Sequence, residues 1–386
     1  MHQEVSMTLN NEPKQPYDLS KLTTMLHEDH IAWSFRNMDK IMPKNDIHSS
    51  EQPFLFQKKE LPLTEMNYEF DGRSSNVAEY LQKVSATGFL VIHDDTIVTE
   101  QYYNGYNQHS TSMSMSVAKS IVSALVGIAC DEGAMKDIHD PVTAYLPELI
   151  GSGFDGASIK DVLQMSSGVR FNEDYKDKDA EIHTFLSDVF GEKAVPISKY
   201  VQQLTKLQEP GQFEYKSVDT QVLWMLLERT TGKNASAYLE EKLWKPLGME
   251  QDAYWSTDLH GNEIAFTFIN ATLRDYAKFG RLYLHNGNWN GRQIISEQWI
   301  KESVTPDRAD LMPGTANDFF GYGYQWWTPL GSDGTEFMAR GIYGQHIYVN
   351  QKKRTVIVKS GVDPTVFNIH DYEAVTAYRT ILEHLT

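Results

Sequence analysis

A serine and a lysine three positions apart, Ser116 and Lys119, stand in the run Met113-Ser114-Met115-Ser116-Val117-Ala118-Lys119-Ser120, which leads straight into the apolar segment Ile121 to Ala129. On a helix, residues three apart share one face, so the Ser116 hydroxyl and the Lys119 amine are expected side by side, with Ser116 in the first turn. That pairing suits acyl transfer. A serine hydroxyl is a weak nucleophile until a neighbour takes its proton, and a desolvated lysine has its pKa lowered towards that task. The helix N-terminus contributes separately, because its unpaired N–H groups and positive dipole end face the negative charge of a tetrahedral intermediate. One short stretch thus offers a nucleophile, an activator and half of an oxyanion hole.

The remainder of the chain bounds what this motif can belong to. With 386 residues, of which 41% are hydrophobic, the protein can bury a large core in one large or two intertwined domains. A formal net charge of -17 argues against the clustered Lys and Arg of a nucleic-acid interface and against attraction to anionic lipid. The single cysteine, Cys130, excludes an intrachain disulfide and a cysteine metal cluster, and reads as a small core residue. His27 and His30 lie one turn apart but imply no third ligand, so no metal or organic cofactor is expected. Met1 to Ser6 show neither the basic nor the apolar region of a secretory signal, and no apolar run is long enough to cross a bilayer. The expectation is a cytoplasmic protein with a small-molecule partner and no nucleic-acid or membrane partner; a homodimer stays open.

Residues 1 to 16 read as a loose polar arm, and Trp33, Phe35, Met38 and Ile41 follow at helical spacing. Asn76 and Glu79 spell a capping box for a helix through Lys83 or Val84. Gly88 to Ile92 and Thr96 to Tyr103 form a hairpin turned at Asp94-Asp95. From residue 131 to about 265 helix signals dominate: Ser158 to Met165, Ser198 to Leu207, Val218 to Thr230 stopped by Gly232, and Ala235 to Leu243 ending before Pro246. Thr272 to His285 is an amphipathic helix. Strands at Gly321 to Trp327, Glu336 to Tyr343, His346 to Asn350 and Thr355 to Lys359 make an antiparallel meander, and Asp371 to Leu385 closes the chain as a helix. The organisation expected is α+β: residues 1–130 and 266–386 as a sheet domain flanked by helices, and 131–265 as a largely helical second domain.

This order of parts resembles the penicillin-recognising serine hydrolase superfamily, which includes class C β-lactamases, D-alanyl-D-alanine peptidases and related esterases and amidases. The resemblance spans roughly residues 88 to 363. Ser116-Val117-Ala118-Lys119 matches the first active-site box, followed in order by Asp140-Pro141-Val142, Tyr145-Leu146-Pro147-Glu148-Leu149, Val162 to Gly168, and Lys245-Pro246-Leu247-Gly248-Met249. Tyr215-Lys216-Ser217 stands in place of the Tyr-x-Asn box. The resemblance implies a class C β-lactamase-like fold, with Tyr215 as general base for Ser116 and later the acid for the leaving group; an adjacent ammonium lowers a phenol's pKa for such a shuttle. Ser217 then either contacts substrate or caps the following helix.

The third box departs further. Ala339-Arg340-Gly341 replaces Lys-Thr-Gly, so the Ile342 N–H can still pair with that of Ser116 as the oxyanion hole, but the lysine that meets a substrate carboxylate is absent. Alternation along a strand turns Arg340 away from the side Ala339 faces. These departures, with Gly341-Ile342-Tyr343-Gly344-Gln345, Phe171-Asn172-Glu173-Asp174-Tyr175 and Gln325-Trp326-Trp327, resemble the 6-aminohexanoate-dimer hydrolase and carboxylesterase group, in which Tyr175 and Trp327 would line the substrate pocket. An amine-terminated substrate wants a carboxylate near its cationic end; Asp188 and Glu181 are the nearby candidates, and Phe266 stands where a polar residue is expected. Ester cleavage, which needs fewer specific contacts than amide cleavage, is therefore favoured over cleavage of 6-aminohexanoate oligomers. A β-lactamase or peptidase activity, and a non-catalytic sensor module on the same fold, are the alternatives.

Overall fold

The computed structural model describes residues 25–363, 365 and 370–385. The arm expected over residues 1 to 16 lies outside these. Asn76 caps helix α1 (Val77–Lys83) by accepting the Glu79 N–H, while the Glu79 side chain reaches back to the cap, the reciprocal box expected. Strands β1 (Ala86–His93) and β2 (Thr96–Tyr102) follow, their tight turn held by positive φ at both Asp94 and Asp95. Helix α2 (Val117–Asp131) carries the serine–lysine motif, α3 (Ser217–Thr231) is stopped by left-handed Gly232, and α4 (Leu273–Leu284) is capped by Thr272. The late strands are β3 (Phe320–Tyr322), β4 (Trp327–Pro329), β5 (Glu336–Gly341), β6 (Gln345–Asn350) and β7 (Thr355–Gly361), and α5 (His370–His384) ends the chain.

Pairing of β7 with β1 joins the late meander to the early hairpin, so one sheet runs β3-β4-β5-β6-β7-β1-β2, with Gln57–Lys58 parallel on its edge. Period-two alternation decides which helix each side chain meets. Phe89 and Val91 of β1 pack with Tyr80 of α1 and Tyr378 of α5, whereas Leu90 and Ile92 join the core under α4 and α2. Gly280 allows α4 to lie close on the sheet, since a Cβ there would come within 2.6 Å of a Val356 methyl. A second sheet, ordered Lys44–Ile47, Ala253–Ser256, Ile269–Ala271, Ser112–Met113, delivers the chain to the start of α2.

Three expectations need correction. Gly321 to Trp327 is not one strand: β3 and β4 are separated by a turn at Gln325 (φ 64), whose side chain accepts from Thr220 of α3 and donates to the carbonyls of Val162 and Leu163. Those long-range anchors outweigh the strand propensity of the run. Ala235–Leu239 is α-helical but widens into a π-turn over Glu240–Trp244 before Pro246. A helix at Glu181–Phe190 was not anticipated, because Ala180 supplies no capping side chain, although Ile182, Phe185 and Val189 repeat at helical spacing on its buried face. Among the described residues, no helix is long and apolar enough to cross a membrane.

Glu100 on β2 locks the sheet to α4. Its carboxylate, 5% exposed, takes the Arg274 Nε and Nη2 hydrogens at 2.6 and 2.8 Å. Against the burial that would raise it, hydrogen bonds from Arg274, Lys58 and Tyr102 hold the Glu100 carboxyl down to about 2. A depressed carboxyl stabilises the fold above the ordinary carboxylate range and loses that contribution as pH falls towards its folded pKa. Glu100→Gln is expected to cost about 3 kcal/mol at neutral pH. Its urea midpoint should fall less than the wild type's on acidification from about pH 5 towards about pH 2.

Candidate active site

Met113 ends the outer strand of the small sheet, and the Ser114 N–H donates to Ile269 O at 2.8 Å. Met115 then takes φ 46, an uncommon conformation for a residue with a side chain, and the chain turns sharply so that Ser116 occupies the N-cap position of α2. One turn on, Lys119 is 1% exposed. Its Nζ donates to Ser116 Oγ at 2.8 Å and to Phe266 O at 3.1 Å, and lies 5.1 Å from the Tyr215 ring centre. Burial brings the Lys119 ammonium down to about 8, with the charge of Glu173 opposing it. An amine titrating there holds a substantial neutral fraction under mildly alkaline conditions and can take the Ser116 proton.

Tyr215 lies with Ser116 in the wall of one cavity, its ring stacked 5.6 Å from Trp327 at 29°. Its phenol is raised above the ordinary value by burial and by the charge of Glu173, with a hydrogen bond to Ser116 and the charge of Arg340 opposing. Desolvation of a phenolate is the leading influence here and outweighs the attraction of the Arg340 charge.

β5 closes the other side of Ser116. A Cβ on Gly341 would lie 2.7 Å from Ser114 O and 2.9 Å from Ser116 N, so glycine is what lets the strand end approach the start of α2. Among the described residues neither the Ser116 nor the Ile342 N–H donates to a protein acceptor, and both residues line the cavity. Two N–H groups without a protein acceptor, on residues that line one cavity, are the kind of donors that can receive an oxyanion.

The β-lactamase family pattern matches residues 74–367. The chain belongs to the β-lactamase family. It is 29% identical over 357 residues to a 6-aminohexanoate-dimer hydrolase of Paenarthrobacter ureafaciens, covering 89% of each chain. Among solved structures it resembles a Bacillus anthracis protein provisionally named a 6-aminohexanoate-dimer hydrolase, with a TM-score of 0.86 and 26% identity, covering 97% of this chain and 99% of the other. A class C β-lactamase superposes with a TM-score of 0.56 over 80% of this chain and 94% of its own, at 16% identity, a likeness of fold.

The cavity of this β-lactamase-family chain, about 590 Å³, is also walled by Tyr175 and Trp327. Ser217 is not in the wall. It opens α3 without capping it, and its N–H and hydroxyl both donate to Glu173, the hydroxyl at 2.7 Å. Of the carboxylates considered from the sequence, Glu181 takes the Asn172 N–H and Asp188 pairs with Lys193; neither lines the cavity. Glu173, Asp174, Glu214, Asp318 and Asp371 do, against Arg340 as the one Lys or Arg in the wall among the described residues. Alternation does turn Arg340 from the side of Ala339, which is buried in the core, yet the guanidinium reaches the cavity 4.0 Å over Phe320 and 4.8 Å over Trp327, paired with Asp371. Phe266 contributes a backbone carbonyl, which residue type does not encode. Among the described residues no group of three or more His, Cys, Asp or Glu is placed to hold a metal ion.

Proposed function

We propose that this protein is an acyl-transfer hydrolase of carboxylic esters and linear amides, acting through an acyl-enzyme on Ser116. The observation that carries this is the 2.8 Å hydrogen bond between buried Lys119 and Ser116 in a cavity that also presents the free N–H groups of Ser116 and Ile342. Neutral Lys119 takes the Ser116 proton as Oγ attacks the carbonyl carbon, and the carbonyl π electrons move onto oxygen between the two N–H groups. Tyr215, still protonated, gives its proton to the departing alkoxide or amine, and Lys119 restores it. Water then attacks the acyl group with the same residues in reverse order. This exchanges the base role expected for Tyr215 with Lys119.

Asp174 and Asp318, wall carboxylates that join no ion pair among the described residues, favour substrates that carry an ammonium group, which is the chemistry of a 6-aminohexanoyl amide, so amine-bearing amides stand beside simple esters as substrates. p-Nitrophenyl 6-aminohexanoate is expected to exceed p-nitrophenyl hexanoate in kcat/KM by about tenfold at low salt, and the ratio should shrink as salt is added. A ratio of one at low salt would remove the acidic wall from substrate selection.

The function itself is tested by acid-quenching the protein during p-nitrophenyl butyrate turnover and measuring intact mass. A butyryl adduct located on the Ser116 peptide is the expected result. Steady turnover with no adduct at any quench time would sink the acyl-enzyme.

A further inference from the structure

Glu173 is a carboxylate whose placement could not be read from its own neighbours in the chain. The loop that carries it is folded on itself, the Asp174 N–H donating to Asn172 Oδ1 at 2.9 Å and the Asn172 N–H to Glu181 at 2.9 Å. Glu173 turns from this loop to the first turn of α3, where its two oxygens take the N–H and the hydroxyl of Ser217, two positions after Tyr215. A helix N-terminus favours negative charge there. The Tyr175 hydroxyl approaches the same carboxylate at 3.5 Å.

The acyl-transfer cycle has a need that this carboxylate meets. When Lys119 accepts the Ser116 proton, a positive charge forms in a buried site, and desolvation opposes it. We propose that Glu173 is a positioning residue of the reaction: clamped by Ser217, it fixes the Tyr215–Ser217 segment and is the standing counter-charge for the ammonium formed on Lys119. The inference rests on the acyl-transfer reading above. In the step concerned the proton passes from Ser116 Oγ to Lys119 Nζ as the Oγ–C bond forms, and Glu173 neither gains nor loses a proton.

Glu173 lines the same cavity as Tyr215 and as Ser116, whose hydroxyl Lys119 holds at 2.8 Å, and the electrostatics agree with that placement. Glu173 is the one charged group that opposes the effect of burial on Lys119, and after burial it is the leading influence raising Tyr215. The other titratable groups facing it are Tyr175 on its own loop, Asp219 on α3 and Tyr322 on β3, with Arg340 acting on Tyr215 and Lys216 on Asp219. Burial raises Glu173 itself, and Lys119 and the Ser217 donors oppose that.

The test is the pH profile of kcat/KM for p-nitrophenyl butyrate in wild type, Glu173→Gln, Glu173→Asp and Ser217→Ala, corrected for spontaneous hydrolysis. Glutamine can still accept from Ser217 but carries no charge. Without the anion, Lys119 releases its proton at lower pH, so the rising limb should move acidward, with kcat down about tenfold and KM within about threefold. Glu173→Asp should restore the limb, and Ser217→Ala should lower kcat without moving it. A rising limb that stays in place in Glu173→Gln, whatever the loss of activity, would overturn the proposal. If Glu173→Gln does not fold, Glu173→Ser removes the charge beside Ser217 and is held to the same outcome. Failure of the acyl-transfer reading is distinct, because it appears in the wild type as turnover without a butyryl adduct.

Discussion

Ser116→Ala is expected to lower kcat/KM for p-nitrophenyl butyrate by about four orders of magnitude, Lys119→Met by nearly as much, and the double variant by no more than the worse of the two. The physical reason is that the two groups act as one unit. Without Lys119 the Ser116 proton has no neutral amine at 2.8 Å to go to, and without Ser116 the amine has no nucleophile to activate. Because the Lys119 amine must be neutral, wild-type kcat/KM should rise with pH through about 8, the value to which burial brings it. Tyr215→Phe is expected to fall less with this substrate, since p-nitrophenolate leaves without a proton, and more with an anilide, whose leaving amine needs one. Parallel progress curves at equal protein concentration, with the double variant as background, decide the matter. Additive losses would mean that serine and lysine serve separate steps, and turnover surviving Ser116→Ala would remove the nucleophile.

Gly341→Ala is expected to lower kcat about a hundredfold or more while KM changes little and the protein stays folded. Gly341 has no left-handed φ to protect, so the loss comes from contact alone. The added methyl meets two backbone atoms and a Cβ of the turn before α2: 2.7 Å to Ser114 O, 2.9 Å to Ser116 N and 2.9 Å to Met115 Cβ. Backbone does not move aside as the end of a flexible side chain does, so β5 must retreat from α2 and separate the Ser116 and Ile342 N–H groups. Stability should drop by only about 1–3 kcal/mol, the usual range for overpacking. Thermal unfolding and kcat measured on the same preparation separate the two effects. Activity within threefold of wild type in a folded Gly341→Ala would show that the end of β5 does not form the oxyanion site.

Local spacing in this chain was informative wherever one stretch of backbone decided the outcome. The Asn76–Glu79 box, the Gly232 stop and the Asp94-Asp95 turn need only residues a few positions apart, and the structure shows each of them. The Ser116–Lys119 pair is of the same kind, because helical periodicity alone sets them on one face. The strand break at Gln325 was not legible, since the helices that hold its amide are distant in the chain.

The sequence by itself determined the adjacency of Ser116 and Lys119, the hairpin, most of the meander and the helices around them, because these follow from short-range sterics, capping and periodicity. Tertiary structure alone decided the proton inventory and the shape of the pocket. Phe266 reaches Lys119 across 147 positions, and Glu173 reaches Ser217 across 44. Desolvation, which raises Tyr215 and lowers Lys119, is a property of everything packed around a group and is written in no single stretch of chain. The lowering of Lys119, on which its proposed role as base rests, and the hydrogen bonds from Ser217 to Glu173 both arise from that three-dimensional surrounding.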